Sequence, residues 1–376
     1  MQKAKRLGRF IFSIQGSHRA ATLLREEYDS LPTTNESPHL IIEVRDVVPS
    51  QESGRIYLRD SLYSQGKTFS GVEKRSGYTF TVSGDIAAEY PLRVVISCHS
   101  WAVANNGPQA LAHWIDKRRN WSFLSRTERL AKNVLYDFIH PIFHLSMLRL
   151  GQGFCHASAI TDTSRGAILF TGCGGSGKTS AGFCFMEEGH WLYLSDDILL
   201  TDEEAQAYAY PMHMQVYGYN TIRSPKLLNR VLRGRSLDDI SQWKLRSWMH
   251  GPHKVRRRIS PARLFGAERI GTKSKIRQVF YLRRTDTHNL KVETMAVEDV
   301  ARRSAHIILD EYRKFLEKLN LCALEISNLD TTQLFDKNKS FYEKSFSEAA
   351  CFKVDVPRHF SPLELYDGLK SHVGNT

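Results

Sequence analysis

The sequence predicts an α/β protein, with a small β-rich domain over residues 1–125, an α/β core with a leading helix over 126–300 and a helical region over 301–376. Three observations predict this fold. Short runs of β-branched and aromatic residues, separated by Gly, Ser, Asn and Pro, fill the N-terminal part. A strand, a glycine-rich loop, a helix and another strand follow in the middle of the chain. Apolar residues recur at helical spacing on either side of that core.

The composition is that of a folded globular protein. Of the 376 residues, 41% are hydrophobic and 24% are charged, and at about 100–200 residues per domain the length corresponds to two or three domains. This balance excludes a chain that is wholly disordered, collagen-like or coiled-coil. Six cysteines without CxxC pairs or zinc-like Cys/His spacing predict neither a disulfide scaffold nor a structural zinc site. We therefore expect a reducing, cytoplasmic compartment.

The sequence predicts no membrane partner, because no stretch approaches the roughly 18 consecutive apolar residues of a spanning helix. The N-terminal segment is basic, and its apolar patch of Phe10, Ile11 and Phe12 is too short for a secretory signal. Two interpretations of this segment stay open, namely a mitochondrial transit peptide and a first β-strand with solvated lysines.

The net charge of +12 admits a nucleic acid, an acidic partner or a phosphate-rich ligand. The densest basic run, at 253–258, includes Lys254, which is a candidate for binding substrate; the alternative is a solvated loop. The run lacks the interleaved aromatic residues typical of single-strand binding, so the sequence does not favour a nucleic-acid partner.

The N-terminal part contains four clear strand patterns, at 40–44, 55–58, 78–82 and 92–97. A helical pattern then covers 125–150. Ser125, with Glu128 three residues later, has the spacing of a capping box, in which each side chain bonds the other residue's backbone N–H.

The predicted core begins with strands at 154–160 and 167–170, followed by the glycine-rich loop, a helix that ends at Gly189 and a strand at 191–194. A strand–helix–strand order of this kind predicts a parallel sheet. Further predictions are two strands, at 278–283 and 290–294, and two helices, at 297–319 and 362–372.

The glycine-rich loop has the G-x4-G-K-[ST] pattern of a P-loop, in which backbone N–H groups surround phosphate oxygens at a helix N-terminus. The lysine of such a loop reaches the β- and γ-phosphates, and the hydroxyl after it binds Mg²⁺. The sequence therefore predicts a site for ATP and Mg²⁺. Its residues are Gly172, Cys173, Gly174, Gly175, Ser176, Gly177, Lys178 and Thr179, followed by Ser180.

Two carboxylates follow the next predicted strand. Asp196 and Asp197 come eighteen and nineteen residues after Lys178, where an acidic residue that holds Mg²⁺ or activates a nucleophile is expected. The alternative is a pair of solvated loop residues. No Asn-Lys-x-Asp sequence is present to recognise guanine, so the sequence does not favour a GTPase.

The stretch from 154 to 200 resembles the core of HPr kinase/phosphorylase and related serine kinases. It shares a His before the P-loop strand, His156, then the P-loop itself, then a Gly-His…Asp-Asp run from Gly189 to Asp197. Residues 260–266 and 279–283 also look like that group. The resemblance implies a P-loop core with a mixed sheet and flanking helices, a fold that ATP-dependent phosphoenolpyruvate carboxykinases share.

The resemblance also implies roles for individual residues. Lys178 and Thr179 would hold ATP and Mg²⁺, Asp197 would accept the proton of an attacking serine hydroxyl, and Asp196 would help to bind the metal. The roles of the two aspartates are interchangeable on sequence alone, and Asp197 is preferred as the base. His156 would orient or tune that carboxylate.

The chain departs from the family in two places, because no Glu-x-Arg-Gly-Leu-Gly sequence follows Asp197 and residues 1–125 do not resemble the N-terminal part of that enzyme. We therefore expect an ATP-dependent kinase that phosphorylates Ser or Thr in a protein or peptide other than HPr, such as the precursor peptide of a biosynthetic gene cluster. The alternatives are a non-catalytic ATP sensor and a kinase of small hydroxylated metabolites. Self-association is left open.

Overall fold

The computed structural model describes residues 3–46, 56–59, 62–73, 77–84, 91–99, 109–222, 224–326 and 331–373. The chain is a mixed α/β protein with two compact units. The first comprises residues 1–150 and 311–334, and the second comprises 151–310 and 335–376. The division into units differs from the predicted division into domains, because the leading helix after residue 125 lies in the first unit. No helix in the described ranges is both long and apolar enough to span a membrane.

The first unit contains a nine-stranded sheet in the order β3-β1-β2-β4-β9-β8-β7-β6-β5. Strand β2 contains Phe10, Ile11 and Phe12 and pairs in parallel with β4, as β4 does with β9; the rest of the sheet is antiparallel. The strands are β1 (Ala4–Leu7), β2 (Phe10–Gln15), β3 (Thr33–Thr34), β4 (Leu40–Arg45), β5 (Ile56–Arg59), β6 (Leu62–Gln65), β7 (Thr68–Glu73), β8 (Tyr78–Ser83) and β9 (Leu92–Cys98). The four predicted strands correspond to β4, β5, β8 and β9, although Arg55 lies outside the described residues.

Helices cover the apolar side chains of this sheet. Phe143 packs against Phe12 and Phe10, with ring centroids 4.6 and 5.2 Å apart, and Phe138 packs against Phe80 at 4.6 Å. The predicted capping box is present, because Ser125 Oγ accepts from the Glu128 N–H and Glu128 accepts from the Ser125 N–H. The helices are α1 (Arg19–Glu27), α2 (Gln109–Arg119), α3 (Arg126–Val134), a π-helical turn (Leu135–Ile139) and α4 (His140–Leu148).

The second unit has a mixed sheet in the order β10-β14-β15-β18-β12-β11-β13, with β20 beside β18 and β19 beside β20. The long strand β18 is parallel to β12 and β20 and antiparallel to β15. The strands are β10 (Gln152–Cys155), β11 (Ala157–Asp162), β12 (Gly166–Thr171), β13 (Leu192–Ser195), β14 (Leu199–Asp202), β15 (Gln206–Tyr208), β18 (Lys273–Thr285), β19 (Lys291–Thr294) and β20 (Ala350–Pro357); β16 (Met214–Tyr217) and β17 (Arg256–Ile259) form a separate pair.

The prediction of a parallel sheet from the strand–helix–strand order was wrong. Strands β12 and β13 run in the same direction, but β11 lies between them and is antiparallel to both. The predicted strand at 154–160 is in fact two strands, and they separate at His156 because β10 pairs with β14 while β11 pairs with β12.

The remaining helices flank this sheet or belong to the C-terminal half of the chain. They are α5 (Lys178–Glu187), α6 (Gly218–Thr221), α7 (Pro225–Leu232), α8 (Leu237–His250), α9 (Pro261–Phe265), α10 (Val297–Glu311), α11 (Arg313–Cys322), α12 (Leu334–Ser345) and α13 (Pro362–Leu369). The single helix predicted at 297–319 is interrupted at Tyr312. The C-terminal region predicted as helical contains these helices but also a strand that was not predicted, because β20 pairs with β18 over eight residues.

Candidate functional site

The glycine-rich loop joins β12 to α5 and requires glycine at defined points. Gly172, Gly175 and Gly177 have φ values of +142°, +78° and +111°, in the region that side chains rarely adopt. A Cβ on Gly172 would lie 2.3 Å from the carbonyl oxygen of Leu282, and one on Gly177 would lie 2.8 Å from Leu365 Cδ2. The loop is therefore a close-packed turn that presents the first N–H groups of α5, which favour an anion.

The ammonium group of Lys178 lies across the loop that precedes it. The side chain is buried, and Nζ donates to the carbonyl oxygens of Gly172 at 2.7 Å and Cys173 at 3.0 Å. In the same loop, Ser176 is 4% exposed and its Oγ has no hydrogen-bond partner within the described part of the chain. A buried polar atom without a partner is rare in proteins, so the loop has capacity to bind a further polar group.

Thr179 and Asp196 link the helix to the end of β13. Thr179 Oγ1 lies 2.9 and 3.1 Å from the two carboxylate oxygens of Asp196. Burial, followed by the nearby charge of Asp197, raises the pKa of Asp196 to about 7, while bonds from Thr179 and Ser158 and the charge of Lys178 oppose this rise. The carboxyl group therefore changes charge near neutral pH in the ligand-free protein.

Asp197 and His156 form a second pair at the same sheet edge. His156 Nδ1 lies 3.6 Å from Asp197 Oδ1, and the two side chains are 5% and 45% exposed. Burial, followed by the charge of Lys178, lowers the pKa of His156 to about 4, although Asp197 acts in the opposite direction. The imidazole is therefore neutral at pH 7 and contacts the carboxylate as a polar group, not as a cation.

Asp197 has a left-handed backbone, with φ of +74°. Aspartate and asparagine tolerate this region better than other side chains, and such strained residues cluster at functional sites. The turn is held from both sides, because the Ile198 N–H donates to the Asp196 carbonyl at 3.0 Å and the buried Ser195 hydroxyl donates to the Ile198 and Tyr210 carbonyls. The backbone thus presents the Asp197 side chain to solvent.

The structure brings in three residues that the sequence analysis missed. Arg284 lies near the carboxyl end of β18, at the same sheet edge as the loop, and its Nε is 3.4 Å from the Gly175 carbonyl oxygen. Ser158 lies near the carboxyl group of Asp196 and lowers its pKa, and Tyr219 lies near Ser180 and close to the charges of Asp196 and Arg284. Arg284 had one signal in the sequence, because the carboxyl ends of parallel strands meet at the ligand-binding edge of such sheets.

The basic run at 253–258 is not a single solvated loop. Arg257 lies on β17, is 1% exposed and donates to Asp239 at 2.6 Å. Its charge is therefore paired with that of Asp239 within the fold. Lys254 is exposed in the turn before β17, whereas Arg284 is the arginine that contacts the glycine-rich loop.

No family model matches the sequence, and no curated protein matches it significantly. Among solved structures, the chain is similar to one described as the Hpr(Ser) kinase/phosphatase from Coxiella burnetii, with 14% sequence identity. The similarity covers 58% of this chain and 95% of that chain, with a TM-score of 0.26. Such a score does not establish a shared fold.

Proposed function

We propose that this protein is an ATP-dependent phosphotransferase that transfers the γ-phosphate of ATP to a Ser or Thr hydroxyl of a protein or peptide. The observation that carries the proposal is the meeting of Lys178, Thr179, Asp196 and Asp197 at the start of one helix. A P-loop kinase needs an anion-binding loop, a hydroxyl and a carboxylate for Mg²⁺, and a base for the acceptor.

The residues present fit a nucleotide polyphosphate. Phosphate oxygens accept hydrogen bonds, and the N–H groups at the start of α5 and the ammonium of Lys178 are donors. The buried Ser176 hydroxyl, which has no hydrogen-bond partner among the described residues, is available for a further hydrogen bond. A polyphosphate would replace the Gly172 and Cys173 carbonyls as the partner of Lys178. Arg284, beside Gly175, adds a second cation next to the same loop.

The residues present also fit Mg²⁺. Magnesium binds oxygen ligands and is usually held by one or two protein groups together with substrate phosphates, and Thr179 Oγ1 and the Asp196 carboxylate form such a pair. When bound, the ion would offset the negative charge of the phosphate oxygens. Its binding requires the ionised form of Asp196.

Asp197 suits the role of base better than Asp196 does. Asp196 accepts a hydrogen bond from Thr179, whereas Asp197 is half exposed and faces solvent next to the neutral imidazole of His156. In the proposed reaction, the acceptor oxygen attacks the γ-phosphorus, the bond from that phosphorus to the bridging oxygen breaks, and ADP leaves. The hydroxyl proton passes to Asp197, and His156 keeps the carboxylate oriented.

The proposal is tested with γ-labelled ATP and a pool of serine- and threonine-containing peptides. We expect labelled peptide from the wild type and little from Lys178→Met, which loses a phosphate ligand. Asp197→Asn should keep ATP affinity, because Asn tolerates the left-handed backbone, and should lower kcat by about 10²-fold or more. Calorimetric titration with ATP and Mg²⁺ measures the binding step separately.

Two outcomes would contradict the proposal. Tight ATP binding without labelled product from any peptide would favour a nucleotide-responsive binding protein, and label appearing only on small hydroxylated metabolites would favour a metabolite kinase. Wild-type turnover in Asp197→Asn would remove Asp197 from the role of base.

A further inference from the structure

The end of α8 has an apolar surface that nothing in the described part of the chain covers. Leu245, Trp248 and Met249 are 48%, 83% and 57% exposed. Trp248 and Met249 follow Leu245 by three and four positions, so both lie beside it on one face of the helix. The core-facing side of α8 is instead occupied by Trp243, which is 4% exposed. We call Leu245, Trp248 and Met249, with the exposed Lys244 and Lys254, the α8 patch.

The chemistry around the α8 patch selects an acidic occupant. Residues 240–267 contain seven Lys and Arg and no Asp or Glu. Asp239, the acidic residue that precedes this segment, is 4% exposed and already bonds Arg235 and Arg257. Lys244 and Lys254 are exposed, so the apolar side chains lie in a positive field.

A continuous set of contacts connects this patch to the phosphate site. The turn that carries Lys254 packs on Gly218, where a Cβ would lie 2.6 Å from the Pro252 carbonyl oxygen. On one side of Gly218, Tyr217 pairs in register with Arg256, and the guanidinium lies 5.7 Å from the tyrosine ring centroid. On the other side, Tyr219 stacks on Tyr217 at 5.3 Å between ring centroids.

Tyr219 completes the connection, because its hydroxyl lies near the side chain of Ser180 on the first turn of α5, which lowers the pKa of Tyr219 against the effect of burial. Ser180 follows Thr179, which holds Asp196. A ligand that lies on the α8 patch and extends along Arg256 and Tyr217 would therefore reach the site where the γ-phosphate is proposed to be transferred.

We propose that the α8 patch and the Tyr217–Arg256 pair dock an acidic peptide segment with apolar side chains, which precedes or follows the phosphorylated hydroxyl in the acceptor. This inference rests on the proposed function and specifies its substrate. A peptide is favoured over an anionic membrane because three apolar side chains form a small patch and because the contacts lead to the phosphate site. Exposed Trp and Arg side chains are frequent anchors in such interfaces.

The test uses the full chain and a fluorescein-labelled synthetic peptide in which Asp, Glu and Leu surround one Ser. A matched peptide has Lys in place of Asp and Glu. Fluorescence anisotropy should show binding of the acidic peptide only. Trp248→Ser should weaken binding by about tenfold or more. Lys254→Glu should weaken it several-fold, with a larger effect at low than at high salt, since salt screens exposed charges.

Matched control variants are available on exposed surfaces elsewhere in the chain. Leu324→Ser removes a side chain that is 74% exposed, and Lys337→Glu reverses an exposed charge on α12. Both should bind the acidic peptide as the wild type does. In the transfer assay, Trp248→Ser should raise KM for the acidic peptide about tenfold and leave kcat and ATP affinity unchanged.

The outcomes separate this inference from the proposed function. Transfer that is indifferent to peptide charge and to Trp248→Ser would overturn the docking surface and leave the kinase intact. Peptide binding that depends on Trp248, without any transfer, would support the surface and contradict the kinase. Binding of phosphatidylserine vesicles or of an RNA oligonucleotide through Trp248, without binding of the acidic peptide, would also overturn the inference.

Discussion

At the scale of single residues, Asp196 shows a conflict between stability and function. Desolvation of its carboxyl group raises the pKa to about 7, whereas the proposed magnesium site needs the carboxylate. In the unfolded chain the group ionises near an ordinary pKa of about 4. As pH rises from there to about 7, the unfolded state releases its proton and the folded state keeps it, so ionisation of Asp196 lowers stability over that window.

We therefore expect Asp196→Asn to stabilise the ligand-free protein more at about pH 8 than at about pH 5, by on the order of 2 kcal/mol. The reason is that Asn removes a charge that the folded site disfavours, and this charge is absent from the folded site at pH 5. Thermal and denaturant unfolding at the two pH values measure the difference. The same variant should bind ATP with little dependence on Mg²⁺.

Asp355 provides a control of opposite sign. Its pKa is lowered, chiefly by a hydrogen bond from Arg283, so its ionised form stabilises the fold above the unfolded pKa and that contribution is lost as pH falls. Asp355→Asn should therefore destabilise the protein at about pH 8 and less so in acid. An equal effect of Asp196→Asn at both pH values would show that burial does not disfavour the Asp196 charge.

The candidate site residues that the sequence predicts are those in motifs defined by local spacing. The glycine-rich loop and the aspartate pair follow strands directly, and the structure places both at one sheet edge. Ser158 and Tyr219 have no local signal of that kind, and the position of Arg284 near a strand end indicates the site only once the strand order is known. They reach the site because β18 and β11 flank β12 and because α6 follows β16, and this order of strands is decided by non-local pairing.

At the scale of secondary-structure elements, the glycines of the loop before α5 differ in whether the backbone conformation requires them. Gly177 has a φ of +111° and lies against Leu365, whereas a Cβ on Gly174 would meet no other atom within 4 Å. Left-handed backbone costs a residue with a side chain about 1–3 kcal/mol. We expect Gly177→Ala to weaken ATP binding roughly tenfold or more.

Gly174→Ala is the matched control for this prediction, because it adds the same methyl group to the same loop without a contact. It should bind ATP nearly as the wild type does. Calorimetric titration compares the variants, and circular dichroism checks that each is folded. Equal ATP affinities for the two alanine variants would show that the conformation of Gly177 is not needed for the nucleotide.

Strong local patterns also explain which elements were predicted. The capping box at Ser125 and the strands at 40–44, 78–82 and 92–97 carry their own signals, and they are present. Strand β20 was missed because its burial is uneven, and its conformation depends on pairing with β18 about 70 residues earlier. The break at His156 was missed for a related reason, since the exchange of strand partners there leaves no local sequence signal.

At the scale of the whole molecule, the sheet that carries the site is assembled from distant parts of the chain. The loop at 172–177 lies against the Leu282 carbonyl of β18, and β18 is in turn held by β20. Val354 on β20 is fully buried and pairs in register with Leu282. The C-terminal strand therefore supports a site more than 150 residues earlier, which no inspection of the P-loop sequence alone would indicate.

We expect Val354→Ala to lower the free energy of unfolding by about 2 kcal/mol, because it removes buried methyl groups and leaves a cavity. Lys353→Ala, on the same strand but partly exposed, should lower the free energy of unfolding by less.

The measurement is the midpoint of the thermal transition that ATP shifts upward, since a ligand stabilises only the unit that binds it. Val354→Ala should lower the midpoint of that transition while the increment from saturating ATP stays as in the wild type, because Val354 supports the sheet without touching the nucleotide. An ATP-sensitive transition that Val354→Ala leaves unchanged would mean that β20 and the phosphate site do not unfold together.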